Sequence, residues 1–159
     1  MSRVWTGLLM AISVAILFGT LSRVWAGDDL VHVGPPGVEV CIAGVTTSGP
    51  PGPAECKPEP QATLSGDLTA LRWLVLVGGF AAAAACAYSA LQLAREHPVP
   101  YALGLAVLAI TAIAMLAFEI RLLTSHATLS IGIGCPVGLG GAIAGFIMFA
   151  VLRTRARTD

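Results

Sequence analysis

The segment Cys41–Trp73, CIAGVTTSGPPGPAECKPEPQATLSGDLTALRW, decides how the rest of the chain is read. It holds two of the four cysteines and half of the ten prolines, and at its end polar loop gives way to a long apolar run. The residues on either side of it are largely hydrophobic. Hydrophobic residues make up 56% of the 159 and charged residues 11%, against roughly 25% charged in an ordinary soluble protein. A soluble domain of this size could not hide so much apolar surface, so lipid is the expected solvent. Residues 1–159 read as a single integral membrane domain.

Working outward, four apolar runs are long enough for the about 20 helical residues that cross a bilayer. They lie at about residues 4–21, 70–93, 101–118 and 129–152, with an outer loop at about 22–67. No run shows the alternating polarity of a barrel strand, so the expected fold class is an all-α membrane protein, a four-helix bundle. Pro98 and Pro100 stop both helices at the short second connection, which makes helices two and three an antiparallel hairpin.

Lys and Arg set the expected orientation. Arg3, Arg95, Arg153, Arg155 and Arg157 face Glu96 and Asp159 on one side, five positive against two negative. The other side holds four positive against seven negative: Arg23, Lys57, Arg72 and Arg121 against Asp28, Asp29, Glu39, Glu55, Glu59, Asp67 and Glu119. Both termini are therefore expected in the cytoplasm, with the first loop extracellular or periplasmic and the protein in the plasma (cell) membrane. The first run has a second reading as a cleaved secretory signal ending at Val24-Trp25-Ala26. Its length, and Arg23 where a cleavage region is usually uncharged, favour a retained helix.

Inside the first loop, Val31, Val33, Val38, Val40 and Ile42 alternate on either side of Gly34-Pro35-Pro36-Gly37, the pattern of a hairpin. Ser48-Gly49-Pro50-Pro51-Gly52-Pro53 reads as a turn or exposed tip. A small extracellular β-sheet is expected, with an irregular cross-linked loop as the alternative. Cys41 and Cys56 share the loop and an oxidising compartment, which favours a disulfide contributing about 3 kcal/mol through the closed loop. Cys86 and Cys135 fall inside spans and read as small buried apolar residues. No C-x-x-C is present, so relay of electrons from the loop to a membrane cysteine is disfavoured.

Small residues recur at helical spacing in three runs: Gly7, Ala11, Ala15 and Gly19; Gly78, Ala82, Ala85 and Ser89; Gly134, Gly138, Gly141 and Gly145. Lipid gives helices no hydrophobic reason to associate, so close approach through small residues holds them together. The first expectation is packing within one bundle; the sharper one is that the Gly-rich fourth helix docks another subunit. Arg72, Glu119 and Arg121 lie near the outer ends of helices two and three, where an exposed or interfacial salt link is the simplest reading and a pore mouth or partner site the alternative.

No catalytic, metal or cofactor site is expected. His32, His97 and His126 belong to three different connections, and no span carries a charge at its centre, which argues against ion coupling. A basic surface for nucleic acid is lacking.

At Cys56-Lys57, Leu64, Asp67-Leu68, Ala70 and Arg72 the chain resembles the claudin and peripheral myelin protein superfamily. Those tetraspan proteins carry a Lys after a first-loop cysteine, then a Leu, then D-L-x-A-x-R leading into the second helix. Their G-L-W-x-x-C stands here as Gly37-Val38-Glu39-Val40-Cys41, without the Trp and one residue shorter. The resemblance implies a left-handed four-helix bundle beneath an extracellular sheet, with Cys41, Cys56 and Arg72 in the family's positions. The expected function is association without catalysis: a claudin-like structural or adhesion component, or an accessory subunit of a membrane complex. Expected partners are the lipid bilayer and copies of itself or other membrane subunits. A small channel, transporter or membrane redox protein is the alternative, with the outer-end charges and Ser13, Thr20, Ser89 and Thr111 as the polar groups on offer for its path.

Overall fold

A computed structural model describes residues 2–27, 31–44, 52–59, 66–125 and 130–156. Four helices dominate it: α1 (Ser2–Leu21), α2 (Gly66–Ala94), α3 (Tyr101–Ser125) and α4 (Gly134–Arg155). Each is long and apolar enough to cross a membrane. Each packs against its neighbour in chain order and α4 closes on α1, so the helices form a ring with few diagonal contacts. Trp5, near the start of α1, stacks under the Arg155 guanidinium at the end of α4, 5.1 Å from ring centroid to carbon.

The inward faces build one core from Leu9, Ile12 and Ile16 of α1, Val75, Ala82 and Cys86 of α2, Leu108, Met115 and Phe118 of α3, and Ala142 and Phe149 of α4. The outward faces carry large apolar side chains in the open, among them Val14, Val77, Leu103, Ile113 and Ile147. In water that surface would drive aggregation; in lipid it is the matched solvent contact.

The Gly-rich face of α4 is spent inside this ring. Gly138 meets Gly19 of α1 backbone to backbone, Gly141 lies against Ile16, and Gly145 lies between Ile12 and Leu108. Gly134 faces Ser22 and Trp25. Within one chain, α1 occupies this face. Gly78 packs on Thr111 of α3, and Ala82 is fully buried. The α1 series divides: Gly19 is buried, whereas Gly7 and Ala11 are exposed and a Cβ on Gly7 would touch nothing. Four-residue spacing drifts around a 3.6-residue helix, so one stripe cannot face one neighbour along its whole length.

At the end of the bundle where α1 finishes, five short strands form a sheet: β1 (Ala26–Gly27), β2 (Val31–Gly34), β3 (Gly37–Gly44), β4 (Gly52–Pro58) and β5 (Ser130–Ile131), in the order β4-β3-β2-β1-β5 and antiparallel throughout. The expected hairpin is present: Val31 pairs with Val40 and Val33 with Val38 around Pro35-Pro36. The alternative of an irregular loop is set aside. Of the expected tip, Gly52 and Pro53 open β4, and Ser48–Pro51 lie outside the described residues.

Three helix bounds differ by four or more residues from the hydropathy reading. α2 begins at Gly66, so Arg72 sits in its second turn. α3 continues beyond Phe118 to Ser125. α4 begins at Gly134 rather than 129, because Ser130–Ile131 pairs with β1 instead. The α2–α3 turn is closed by backbone chemistry before its prolines. Glu96 takes φ 58, and the His97 and Glu96 N–H groups return to Gln92 and Leu93 carbonyls at 2.9 and 3.3 Å, a Schellman cap built on a non-glycine residue.

Candidate functional site

The groups with chemistry to offer gather where the sheet meets the helices. Cys41 and Cys56 stand opposite each other on β3 and β4 and form the expected disulfide, S–S 2.05 Å. Strand alternation places His32, Glu39 and Cys41 on one face of the sheet and Val31, Val33, Val38 and Val40 on the other. The valine face meets the bundle: Val33 is buried in the core, with Val31 and Val38 packed on it. His32 Nδ1 lies 3.5 Å from Cys41 Sγ and 3.9 Å from Cys56 Sγ. These three residues can bring one ligand atom each within 4.8 Å of one another, although the bridge consumes both sulfurs as thiolate donors. Reading the histidines only against each other overlooked this cluster. The hairpin register, which sets position 32 opposite 39 and one diagonal from 41, is the signal that could have found it.

Two contacts fasten the sheet. Arg23, just after α1, pairs with Glu39 of β3 at 2.6 Å. Arg72 Nη2 donates to the Pro36 carbonyl at 2.9 Å, so α2 holds the β2–β3 turn. Between them lies a cleft of about 170 Å³, with Arg23, Pro36, Glu59 and Arg72 in its wall. Arg72 Nε is buried there without an acceptor among the described residues. Arg72 also stands 5.8 Å from the Trp73 ring centroid.

Trp25 carries weight that the sequence does not signal. Placed in a candidate cleavage site, it is fully buried; its Nε1–H donates to Gly19 O at 2.5 Å and its ring meets Phe118 edge to face at 5.5 Å. The same linker is tied to the approach to α4, with Gly132 N–H donating to Trp25 O at 2.6 Å and Gly134 N–H to Val24 O at 2.8 Å.

The three outer-end charges are separated by the fold. Arg72 is half-buried against the sheet, Arg121 is exposed on α3, and Glu119 points inward with 5% exposure. Glu119 is thus no exposed salt-link partner. The Cys135 thiol lies beside it and interacts with it, while neither carboxylate oxygen has a donor at full hydrogen-bonding distance among the described residues. The hydroxyls of the suggested polar path are largely engaged with backbone. Ser13 donates to Ala83 O at 2.9 Å, Thr20 to Ile16 O at 2.7 Å and Thr111 to Gly78 O at 2.9 Å, while Ser89 Oγ is buried without a partner. Cys86 and Cys135 are free and buried.

No family model, curated protein or solved structure matches this chain.

Proposed function

We propose that this chain is a non-enzymatic tetraspan membrane protein that acts by lateral or cell-surface association. It serves as a claudin-like structural or adhesion component, or as an accessory subunit of a membrane complex. The observation that carries this reading is the open edge of the sheet. Among the described residues β4 is the last strand in the order, it is exposed at Cys56 and Pro58, and a disulfide fixes it to β3. An edge strand offers unpaired backbone groups to a partner. Pro53 and Pro58 remove two of the donors, which restricts open-ended strand addition. The charge bias directs this end of the bundle outward from a plasma membrane, with both termini cytoplasmic. The partner is another copy or a different membrane subunit. Purification of the native chain in mild detergent tests the reading through particle mass and co-purifying proteins. A strictly monomeric particle without any companion overturns it.

A second reading, a small channel or transporter, has Glu119 in its favour. A buried carboxylate without a donor inside an apolar helix is costly and marks a functional position by default. Ion or proton flux in liposomes that disappears with Glu119→Gln favours this reading over the first; absence of flux removes it.

A further inference from the structure

Beyond association, the sheet carries a reactive group. We propose that the Cys41–Cys56 bridge is a thiol-exchange site, that a small thiol or cysteinyl peptide joins it as a mixed disulfide at Cys56, and that His32 supplies the proton to the departing Cys41 sulfur.

The two sulfurs are not equivalent. Cys56 is exposed, whereas Cys41 is 2% exposed. Attack on a disulfide proceeds along the S–S axis, so a thiolate arriving from solvent meets Cys56 Sγ and expels Cys41 Sγ toward the protein. A thiolate released into a buried site is unfavourable unless a donor or positive charge waits for it. His32 Nδ1 fills that place, nearer the leaving sulfur at 3.5 Å than the attacked one at 3.9 Å.

The ring is positioned from behind. Gly27 of β1 is the strand partner of His32, and a Cβ there would stand 2.7 Å from the Val31 carbonyl oxygen and 2.8 Å from His32 Cδ2. Glycine at this position leaves room for the imidazole against the strand, with Nδ1 turned to the sulfurs. Across β3, the carboxylate opposite His32 belongs to Glu39 and is held by Arg23 at 2.6 Å.

The step balances. The external thiolate forms an S–S bond to Cys56, the Cys41–Cys56 bond breaks, and Cys41 leaves with the electron pair and takes the Nδ1 proton. A second thiol then displaces the adduct. Two thiols are oxidised to one external disulfide while the bridge is reduced to Cys41 and Cys56 thiols. Run backward, His32 accepts the proton as the Cys41 thiolate expels the adduct and restores the bridge.

The full chain in mild detergent is incubated anaerobically with reduced glutathione, quenched at intervals and mapped by mass spectrometry without reduction. The expected first product carries glutathione on Cys56 and a free thiol on Cys41. His32→Gln slows its appearance about tenfold or more, and Gly27→Ala, whose Cβ would press on the Val31 carbonyl oxygen as well as on the ring, slows it in the same direction. A misfolded variant would expose the bridge and exchange faster, so a slower rate does not arise from misfolding. Comparable adduct on Cys41 overturns the site, and an unchanged or faster rate in both variants overturns the role of His32.

Discussion

Gly19→Ala isolates what holds α1 to α4. A Cβ at residue 19 would fall on the Cα and N of Gly138 and stand 2.9 Å from the Gly134 carbonyl oxygen. Ordinary contacts between nonbonded heavy atoms lie near 3.5–4.0 Å. All three obstructing atoms are backbone, so no rotamer change relieves them and the two helices must part. Overpacking of this kind costs about 1–3 kcal/mol, and a purely backbone contact belongs at about 3. Alanine returns about 1 kcal/mol through its helix propensity, which leaves a net loss of about 2 kcal/mol. Gly7→Ala is the matched control: a Cβ there meets nothing, so only the gain of up to about 1 kcal/mol remains. Cys86 and Cys135, free and buried, report unfolding when a fluorogenic maleimide is present during a thermal ramp in mild detergent. The two variants should shift the midpoint in opposite directions, with Gly19→Ala about 4–8 °C below the unaltered chain. Equal midpoints for Gly19→Ala and Gly7→Ala would refute the close α1–α4 seam.

Three further outcomes are expected. The double substitution Cys41→Ser, Cys56→Ser should cost about 3 kcal/mol through the freed loop; hydrogen exchange should show the loss in β3 and β4, with the β1–β2 and β1–β5 pairings retained. Trp25→Phe removes the hydrogen bond to Gly19 O and part of a fully buried ring, and the same thermal ramp should show a loss of about 2–3 kcal/mol. Glu119→Met exchanges two buried oxygens without donors among the described residues for a side chain of similar volume and should raise stability by about 1–3 kcal/mol; a loss of that size would mean that the carboxylate holds a donor in the membrane.

What could be read from sequence was what is written locally. Val31, Val33, Val38 and Val40 repeat with period two around a Pro-Pro turn, and β2 and β3 follow them residue for residue. Apolar runs of helix length became helices. β1 and β5 were illegible because two residues each carry no period; they exist through the pairings Ala26–Ile131 and Gly27–Ser130, made across the length of the chain. The start of α4 had a signal that hydropathy passed over: Pro136 lies in its first turn, where a missing N–H costs nothing. Glu119 was misplaced for a plainer reason. Hydropathy ends an apolar run at a charge, whereas α3 continues for another six residues and turns that side chain inward.

The small-residue faces show why composition located the seams but not their partners. Glycine permits approach without naming what approaches. At Gly138 the occupant is α1, because the loop after α1 is pinned to the start of α4. Trp25 is fixed to the end of α1 through Gly19 O, while its own carbonyl accepts from Gly132 and the carbonyl of Val24 from Gly134. The sheet strengthens the same junction, since β1 follows α1 and β5 precedes α4. The α1–α4 seam and the sheet therefore support each other: opening one strains the hydrogen bonds of the other. Among the described residues β4 stands apart from this junction, paired with β3 as its one strand neighbour and braced by the disulfide. A change at Cys56 can thus alter the exposed edge while the four-helix core stays closed.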